Sequence, residues 1–388
     1  MPWMEADAMS ERIRFVVQAL GEEVNLSALC QEFGISRKTG YKWLLRYRQV
    51  GTLQGLGEQS RRPRRSPHQT PEEIELIIEQ VRQEYGWGGK KLRRVLREQH
   101  GIMMPVITIQ RILKRRGLVV EASRQGPAPH RFERARSNEL WQMDFKGEFR
   151  VGAEQILCHP LSILDDHSRY AVGLYDLRSL GHTGTHRSLV DCFERHGVPE
   201  AMLMDHGTPW WGTTNGYGLT RLAVFLMDQG IQLLHGAVRH PQTQGKVERF
   251  HRTLKESLRH RGLPEYPSKM QSALTRFRQE YNEVRPHEAL GMEVPASRYS
   301  PSSRAYDPKP REWEYPVGAE VQRLNSAGCL DSGRRRYFVC EALAGQRVRC
   351  QTFEGKILVS YRDVPIREID RTSGRTTAVV LPLVASST

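Results

Sequence analysis

The sequence predicts a multidomain chain: N-terminal all-α modules of helix-turn-helix type, a central α/β core built on a mixed sheet, and a C-terminal small β-barrel. Three observations predict it. Apolar residues recur at helical spacing through the first part of the chain, the period changes to alternation after residue 138, and the last segment holds short alternating runs broken by glycine. With 388 residues, 38% hydrophobic and 26% charged, the chain can bury a sizeable core and divide into several domains.

Composition narrows the classes of function. No apolar run reaches transmembrane length, and the start MPWMEADAMSERIRF lacks the basic-then-apolar layout of a signal peptide, so the expectation is a cytosolic protein with no membrane partner. Cysteines 30, 158, 192, 329, 340 and 350 are scattered without a CxxC pair, which argues against a disulfide framework and a cysteine zinc site. Lys and Arg number 58 against 44 Asp and Glu, a formal net charge of +14 that favours a polyanionic partner, with nucleic acid first.

Residues 1–60 read as a helix-turn-helix DNA-binding domain. ERIRFVVQAL and LSALCQEF carry helical apolar spacing; after Gly34, Ser36 is placed to cap a helix RKTGYKWLLRYRQ in which Trp43, Leu44 and Tyr47 repeat at three and four. That helix presents Arg37, Lys38, Lys42 and Arg46 for phosphates and a major groove, the alternative being a three-helix bundle that binds no DNA. Gly40 inside it is a weakness, costing about 1 kcal/mol relative to Ala on propensity alone. RRPRRSPHQT (61–70) reads as a Pro-broken linker that lays Arg61, Arg62, Arg64 and Arg65 along phosphates. Residues 71–120 give three more helical segments, EEIELIIEQVRQEY, GKKLRRVLREQ and VITIQRILKRRG, read as a second helical DNA-binding domain. Residues 121–137 form a further linker.

In the core, residues 138–300, LWQMDFKGEFRV reads as one strand with Trp141, Met143 and Phe145 on one side and Gln142, Asp144 and Lys146 on the other. ILCHPLSILDD and YAVGLYDLR continue an antiparallel meander. Helix HRSLVDCFERHG, strand AMLMD, helix LTRLAVFLMDQG, strand IQLLH and the long helix KVERFHRTLKESLRH follow, which implies a mixed sheet covered by helices. Short strands over 313–370 suggest the small barrel, and residues 371–388 a disordered tail.

Three carboxylates stand out by position: Asp144 in the first strand, Asp205 at the end of AMLMD, and Glu248 in the opening turn of the long helix. Converging oxygen donors of this kind suit Mg²⁺ or Mn²⁺, and two ions about 3.5–4 Å apart would serve phosphodiester displacement. Asp165 and Asp166 lie at a strand turn, where Asp serves local backbone hydrogen bonds. His182 and His186 have the i,i+4 spacing of a metal pair but no third ligand in the sequence nearby; His235, His240 and His251 flank the site as contacts to phosphate or water. Val247, Phe250, Leu254 and Leu258 form the apolar stripe of the long helix, and Glu248, Arg252, Lys255 and Arg259 its polar stripe. Lys246 is placed to neutralise a phosphate. Glu248 and Arg252 could equally be a plain i,i+4 pair.

The motifs WQMDF, LDDHSRY, MLMDHG, HPQTQGKVERFHRTLK and YNEVRPHEALG, in this order, resemble the integrase-type catalytic core of bacterial insertion-sequence transposases, a branch of the DDE superfamily that includes retroviral integrases. The resemblance implies an RNase H-like fold with Asp144, Asp205 and Glu248 as catalytic and metal-binding triad, and a transposase that binds the terminal inverted repeats, cleaves the element ends with metal and joins the 3′-hydroxyl to target DNA. It implies double-stranded DNA and a homodimer or higher homo-oligomer as partners, in a bacterial nucleoid setting. Two departures stand out: residues 206–247 make a longer interval than retroviral integrases use, and no HHCC zinc motif precedes the core. In the loop PWWGTTNGYG, Trp210 or Trp211 would stack on a base displaced near the cleavage point or pack as satellite core. Two other readings remain open at this point, a DNA-binding regulator with an inactive core and an RNase H-type nuclease without strand transfer.

Overall fold

The computed structural model describes residues 8–58, 69–119, 133–204, 209–212, 218–235, 245–333 and 335–379, without the side chains of Trp211 and His235. Expectations for residues 61–68, 120–132 and 380–388 therefore lie outside the described residues, among them Arg61, Arg62, Arg64 and Arg65. The chain divides into two compact units, residues 1–71 and 72–388.

Local capping sets the helices of the first unit. The Asn25 side chain accepts from the N–H groups of Ser27 and Ala28 to start α2 (Leu26–Glu32), and Ser36 Oγ accepts from Thr39 N–H at 3.2 Å to start α3 (Arg37–Val50). Gly51, left-handed at φ 74°, ends α3. With α1 (Ala8–Ala19), these helices bury Phe15, Val16, Cys30, Trp43 and Leu56 in one core. Gly40 is part of that packing. A Cβ there would sit 2.5 Å from Cys30 Sγ and 2.8 Å from the Phe15 ring, so glycine is what lets α3 lie against α1 and α2. Propensity alone says Gly40→Ala should stabilise; the packing reverses the sign.

The second unit opens with α4 (Glu72–Tyr85), α5 (Gly89–His100) and α6 (Val106–Arg115), whose apolar faces bury Ile78, Leu92, Leu96, Ile109 and Ile112 together. Buried Glu75 ties α4 to the end of α6 through Arg115 and through Arg116 Nε at 3.3 Å.

The sheet that follows explains where the candidate site sits. The one strand expected over LWQMDFKGEFRV is broken at Gly147, φ 88°, into β1 (Leu140–Phe145) and β2 (Phe149–Val151). Both pair antiparallel with the long β3 (Ile156–Asp165), which pairs antiparallel on its other side with β4 (Ala171–Leu177). After α7 (His182–His196), β5 (Ala201–Met204) pairs parallel with β1. A minimal hairpin, β6 (Trp211–Gly212) and β7 (Gly218–Leu219), precedes α8 (Arg221–Asp228), and β8 (Gln232–His235) pairs parallel with β5. The mixed sheet covered by helices is thus observed. Trp141, Met143 and Ile163 meet Leu189 and Phe193 of α7 and Leu222 and Leu226 of α8 on one face. On the other, Leu164 and Leu174 meet Val247, Phe250 and Leu254 of α9 (Gly245–Arg261) and Leu274 and Phe277 of α10 (Met270–Glu283). The sequence reading had no α10, although Met270, Leu274, Phe277 and Tyr281 keep helical spacing and all are buried.

At the C-terminal end the expected barrel is corrected. Strands β9 (Val321–Arg323), β12 (Arg347–Phe353), β13 (Lys356–Tyr361), β14 (Val364–Asp370) and β15 (Thr376–Ala378) form one antiparallel sheet in the order β15-β14-β13-β12-β9. Its two ends do not pair with each other, so it is open. A separate hairpin joins β10 (Cys329–Ser332) to β11 (Arg335–Phe338). Part of the expected disordered tail is ordered, since β15 pairs with β14. The apolar face of this sheet is buried in the same cluster as α8, so it has no need to close on itself. Tyr361 OH donates to Asp228 Oδ1 at 2.6 Å at that junction.

Gly40→Ala should lower stability by about 1–3 kcal/mol, the usual range for overpacking a core, read as a lower urea midpoint at unchanged m-value. A midpoint equal to or above the parent's would contradict the packing argument.

Candidate active site

Strand parity makes the first part of the site. Trp141 and Met143 point into the α7–α8 core, so Gln142 and Asp144 turn toward α9, with Asp144 level with Ser162 of β3. Helix periodicity makes the second. Val247, Phe250, Leu254 and Leu258 are buried against the sheet, which leaves Glu248 exposed on the first turn of α9, with Arg252 and Lys255 exposed farther along.

His251 joins the two elements. One turn after Glu248, it is buried, with Nε2 3.0 Å from Ser162 Oγ and Nδ1 3.8 Å from Asp144 Oδ2. Burial, aided by nearby Lys146, pushes its pKa down to about 3, so the ring is neutral at neutral pH. Buried and engaged with Ser162, it is not placed as the phosphate contact the sequence suggested. Lys146 is itself held below the ordinary lysine range, first by burial and then by Lys255, with Asp144 opposing.

β5 brings the chain to the third carboxylate. Gln142 is level with Leu203, and β5 ends at Met204, one residue before Asp205. Asp205 lies outside the described residues. Among the described residues, no group of three or more His, Cys, Asp or Glu side chains is gathered to hold a metal.

Behind these positions is a buried carboxylate that sequence reasoning assigned only to a turn. Asp166, fully buried, accepts from Gln142 Nε2 at 2.7 Å and from Arg134 N–H at 2.8 Å, and its Oδ1 lies 2.5 Å from Lys246 Nζ. Lys246 also donates to the Asp166 carbonyl at 3.1 Å. Burial pulls its pKa down to about 8 while Asp166 opposes the shift. Lys246 is therefore committed to Asp166, which corrects its expected place on a phosphate. Asp165 does the turn work expected of it, accepting from Asn138 N–H and Ser168 N–H at 2.8 Å each and from Ser168 Oγ at 2.5 Å. No signal short of long-range covariation could have paired Gln142, Asp166 and Lys246.

Trp210 is corrected too. It is 2% exposed and stacked on Phe145 at 5.6 Å between ring centroids, so it is core and is not presented to a base. Trp211 pairs through its backbone with Leu219. His182 and His186 stack at 5.6 Å on α7, with His186 against Phe225 at 4.4 Å. In the first unit, Arg37, Lys38 and Lys42 are exposed on α3, while Arg46 is half-buried over the Trp43 ring at 4.9 Å, which corrects its expected outward pose.

Comparison with known proteins bears on this arrangement. Residues 229–295, which include α9 and α10, match the integrase core domain; residues 39–113 match a homeodomain-like domain and residues 11–64 a helix-turn-helix domain. The insertion element IS407 uncharacterized 31.7 kDa protein of Burkholderia multivorans is 23% identical over 241 residues, which cover 59% of this chain and 80% of that protein. Among solved structures, the simian T-cell lymphotropic virus intasome in complex with the PP2A regulatory subunit B56 gamma is similar at 17% identity and TM-score 0.38, over 79% of this chain and 99% of the matched one. The HTLV-2 integrase catalytic core domain in complex with magnesium, trimeric form, is similar at 14% identity and TM-score 0.33, over 43% and 99%. The matches thus place helix-turn-helix segments ahead of an integrase-type segment in one chain, an arrangement that points to association with DNA. The integrase core match and the insertion-element relative make this chain similar to the integrase-type proteins of bacterial insertion elements. Among the described residues, no helix is long and apolar enough to cross a membrane.

Removing one partner of a buried ion pair strands the other, at a cost of about 3–5 kcal/mol. Asp166→Asn should lower the unfolding free energy by that order, and adding Lys246→Met should recover much of it. An unchanged urea midpoint for the single variant would contradict the assigned pair.

Proposed function

We propose that the chain binds the terminal inverted repeats of an insertion sequence, cleaves the element ends with a divalent metal, and joins the freed 3′-hydroxyl to target DNA. The observation that carries the proposal is the meeting of β1 and α9: the helix that bears Glu248 sets His251 3.8 Å from Asp144, while β5 runs beside β1 and ends one residue before Asp205.

Asp144, Asp205 and Glu248 would hold Mg²⁺ or Mn²⁺, as two ions, because hard carboxylate oxygens suit these cations. When bound, the metal stabilises the attacking and leaving oxygens of the phosphodiester displacement. The chain's own residues prepare for that. His251, neutral because buried, puts no competing cation beside Asp144, and its bond to Ser162 keeps α9 seated on β3. Exposed Arg252 and Lys255 lie along α9 beyond Glu248, where they contact phosphates of the strand entering the site.

Recognition falls to the first unit. Arg37, Lys38 and Lys42 of α3 meet the major groove and its phosphates, with Arg61, Arg62, Arg64 and Arg65 following the backbone beyond. Trp211, six residues after Asp205, is the aromatic side chain that stacks on a displaced base. Synapsis of two ends requires at least a homodimer, working in a bacterial nucleoid.

Asp144→Asn, Asp205→Asn and Glu248→Gln should each abolish nicking of element ends in Mg²⁺ while leaving end binding in a gel shift nearly intact. Robust cleavage by any one variant would remove that residue from the triad.

A further inference from the structure

Trp210 belongs to the core, yet its ring rests on the strand residue that directly follows a proposed metal ligand. Phe145 ends β1 next to Asp144, and the Trp210 indole stacks on its ring with 5.6 Å between centroids and 25° between planes. Both rings belong to the cluster on the α7–α8 side of the sheet. Strand parity turns Asp144 to the opposite side, where it is level with Ser162 and lies 3.8 Å from His251 Nδ1. The strand stops there, and the chain turns away at Gly147, φ 88°. Ends of elements open at the least cost in free energy, so a carboxylate on the last residue but one of a strand depends on what clamps that end. His251 and Ser162 clamp it from one side, and Trp210 from the other.

The indole is itself held from behind. The Trp210 carbonyl accepts from Thr220 Oγ1 at 3.2 Å, and the same oxygen caps α8 by accepting from Ala223 N–H at 3.1 Å. Trp211 pairs through its backbone with Leu219, whose carbonyl accepts from Cys340 Sγ at 3.3 Å. Cys340 lies between β11 and β12, so the C-terminal part of the chain supports the hairpin that carries Trp210. Trp210 also follows Asp205 by five residues, while Met204, just before Asp205, closes β5 beside β1. The segment that carries Asp205 is thus anchored at one end by a strand and at the other by a ring stacked on β1. Burial alone asks only for apolar volume, whereas one flat ring on another also fixes separation and tilt.

We infer that Trp210 is a positioning residue for the divalent cation: its stack on Phe145 sets the end of β1 that bears Asp144 and anchors the segment that bears Asp205. The inference rests on the assignment of Asp144, Asp205 and Glu248 proposed above. It gives the C-terminal part of the chain a share in the chemistry, because Cys340 and Leu219 brace the hairpin behind the indole. Groups that orient a metal's ligands without touching the metal govern affinity through the freedom they remove from those ligands.

The test titrates the full-length chain with Mn²⁺, counting the free ion by its electron paramagnetic resonance signal, and records the melting temperature of each variant. Trp210→Leu keeps apolar volume and removes the stack; Phe145→Leu removes the same stack from the other side and serves where the first variant does not fold. Each should weaken Mn²⁺ binding about 10-fold, the low end of the loss when a group supporting a metal ligand is removed. The double variant should weaken it little further, since both changes delete one contact. Trp210→Phe, which retains a ring, should bind Mn²⁺ close to the parent. Phe193→Leu, in the same core cluster on α7, should lower the melting temperature and leave Mn²⁺ affinity unchanged. If the parent binds Mn²⁺, Asp144→Asn loses it, and Trp210→Leu and Phe145→Leu bind as the parent does, the inference fails while the metal site stands. If Phe193→Leu weakens Mn²⁺ binding as much as they do, the loss follows stability alone and the inference fails as well. If the parent binds no Mn²⁺, or Asp144→Asn binds it as well as the parent, the metal assignment fails and takes the inference with it.

Discussion

The buried carboxylate of Asp166 is the constraint on which the catalytic geometry depends. It sits in the turn between β3 and β4, fully out of solvent, and besides the Arg134 N–H it holds side chains from two different elements: Gln142 of β1 and Lys246 of α9. Each of these two lies two residues before a proposed metal ligand, Gln142 before Asp144 and Lys246 before Glu248. A strand and a helix distant in sequence are thus tied to one point, and a charge in a low-dielectric setting tolerates little freedom in its partners. His251 and Ser162 repeat the connection one turn farther along the helix. Carboxylates that must share a cation need this kind of support, because without the cation they repel each other and gain nothing from standing close.

The same turn shows why the acidic pair in LDDHSRY belongs to structure. Asp165 is spent on the Asn138 and Ser168 backbone N–H groups and on the Ser168 hydroxyl, and burial raises its pKa against those bonds. Arg169 closes the far side through Glu133 at 2.7 Å. Two carboxylates that look available in the sequence are thereby saturated, whereas Asp144 lies half-buried near the end of the inner strand β1 and Glu248 on the exposed side of the helix.

Features that depend on local period were legible in the sequence. Ser36 as a cap, the parity of Trp141 and Met143 against Asp144, and the stripe Val247, Phe250, Leu254 and Leu258 all follow from spacing that one element enforces by itself. Features that depend on contact between distant residues were not legible. Lys246 beside Glu248 reads as a surface cation until Asp166 takes it, and Arg46 reads as outward until Trp43 lies beneath it. Gly40 looked like a flaw because propensity counts the helix alone, while Cys30 and Phe15 come from its neighbours. Trp210 looked like a loop residue because of the glycines around it, yet Phe145 of β1 supplies its stacking partner. The small barrel failed for a related reason: alternation specifies strands with one apolar face but not whether that face closes on itself or rests on α8.

The central claim is that Asp144, Asp205 and Glu248 form one divalent cation site. Anomalous diffraction from crystals grown with Mn²⁺ measures it directly. The account predicts manganese peaks at the carboxylates of Asp144, Asp205 and Glu248. Absence of a peak there at saturating Mn²⁺, or a peak on His182 and His186 instead, would contradict it.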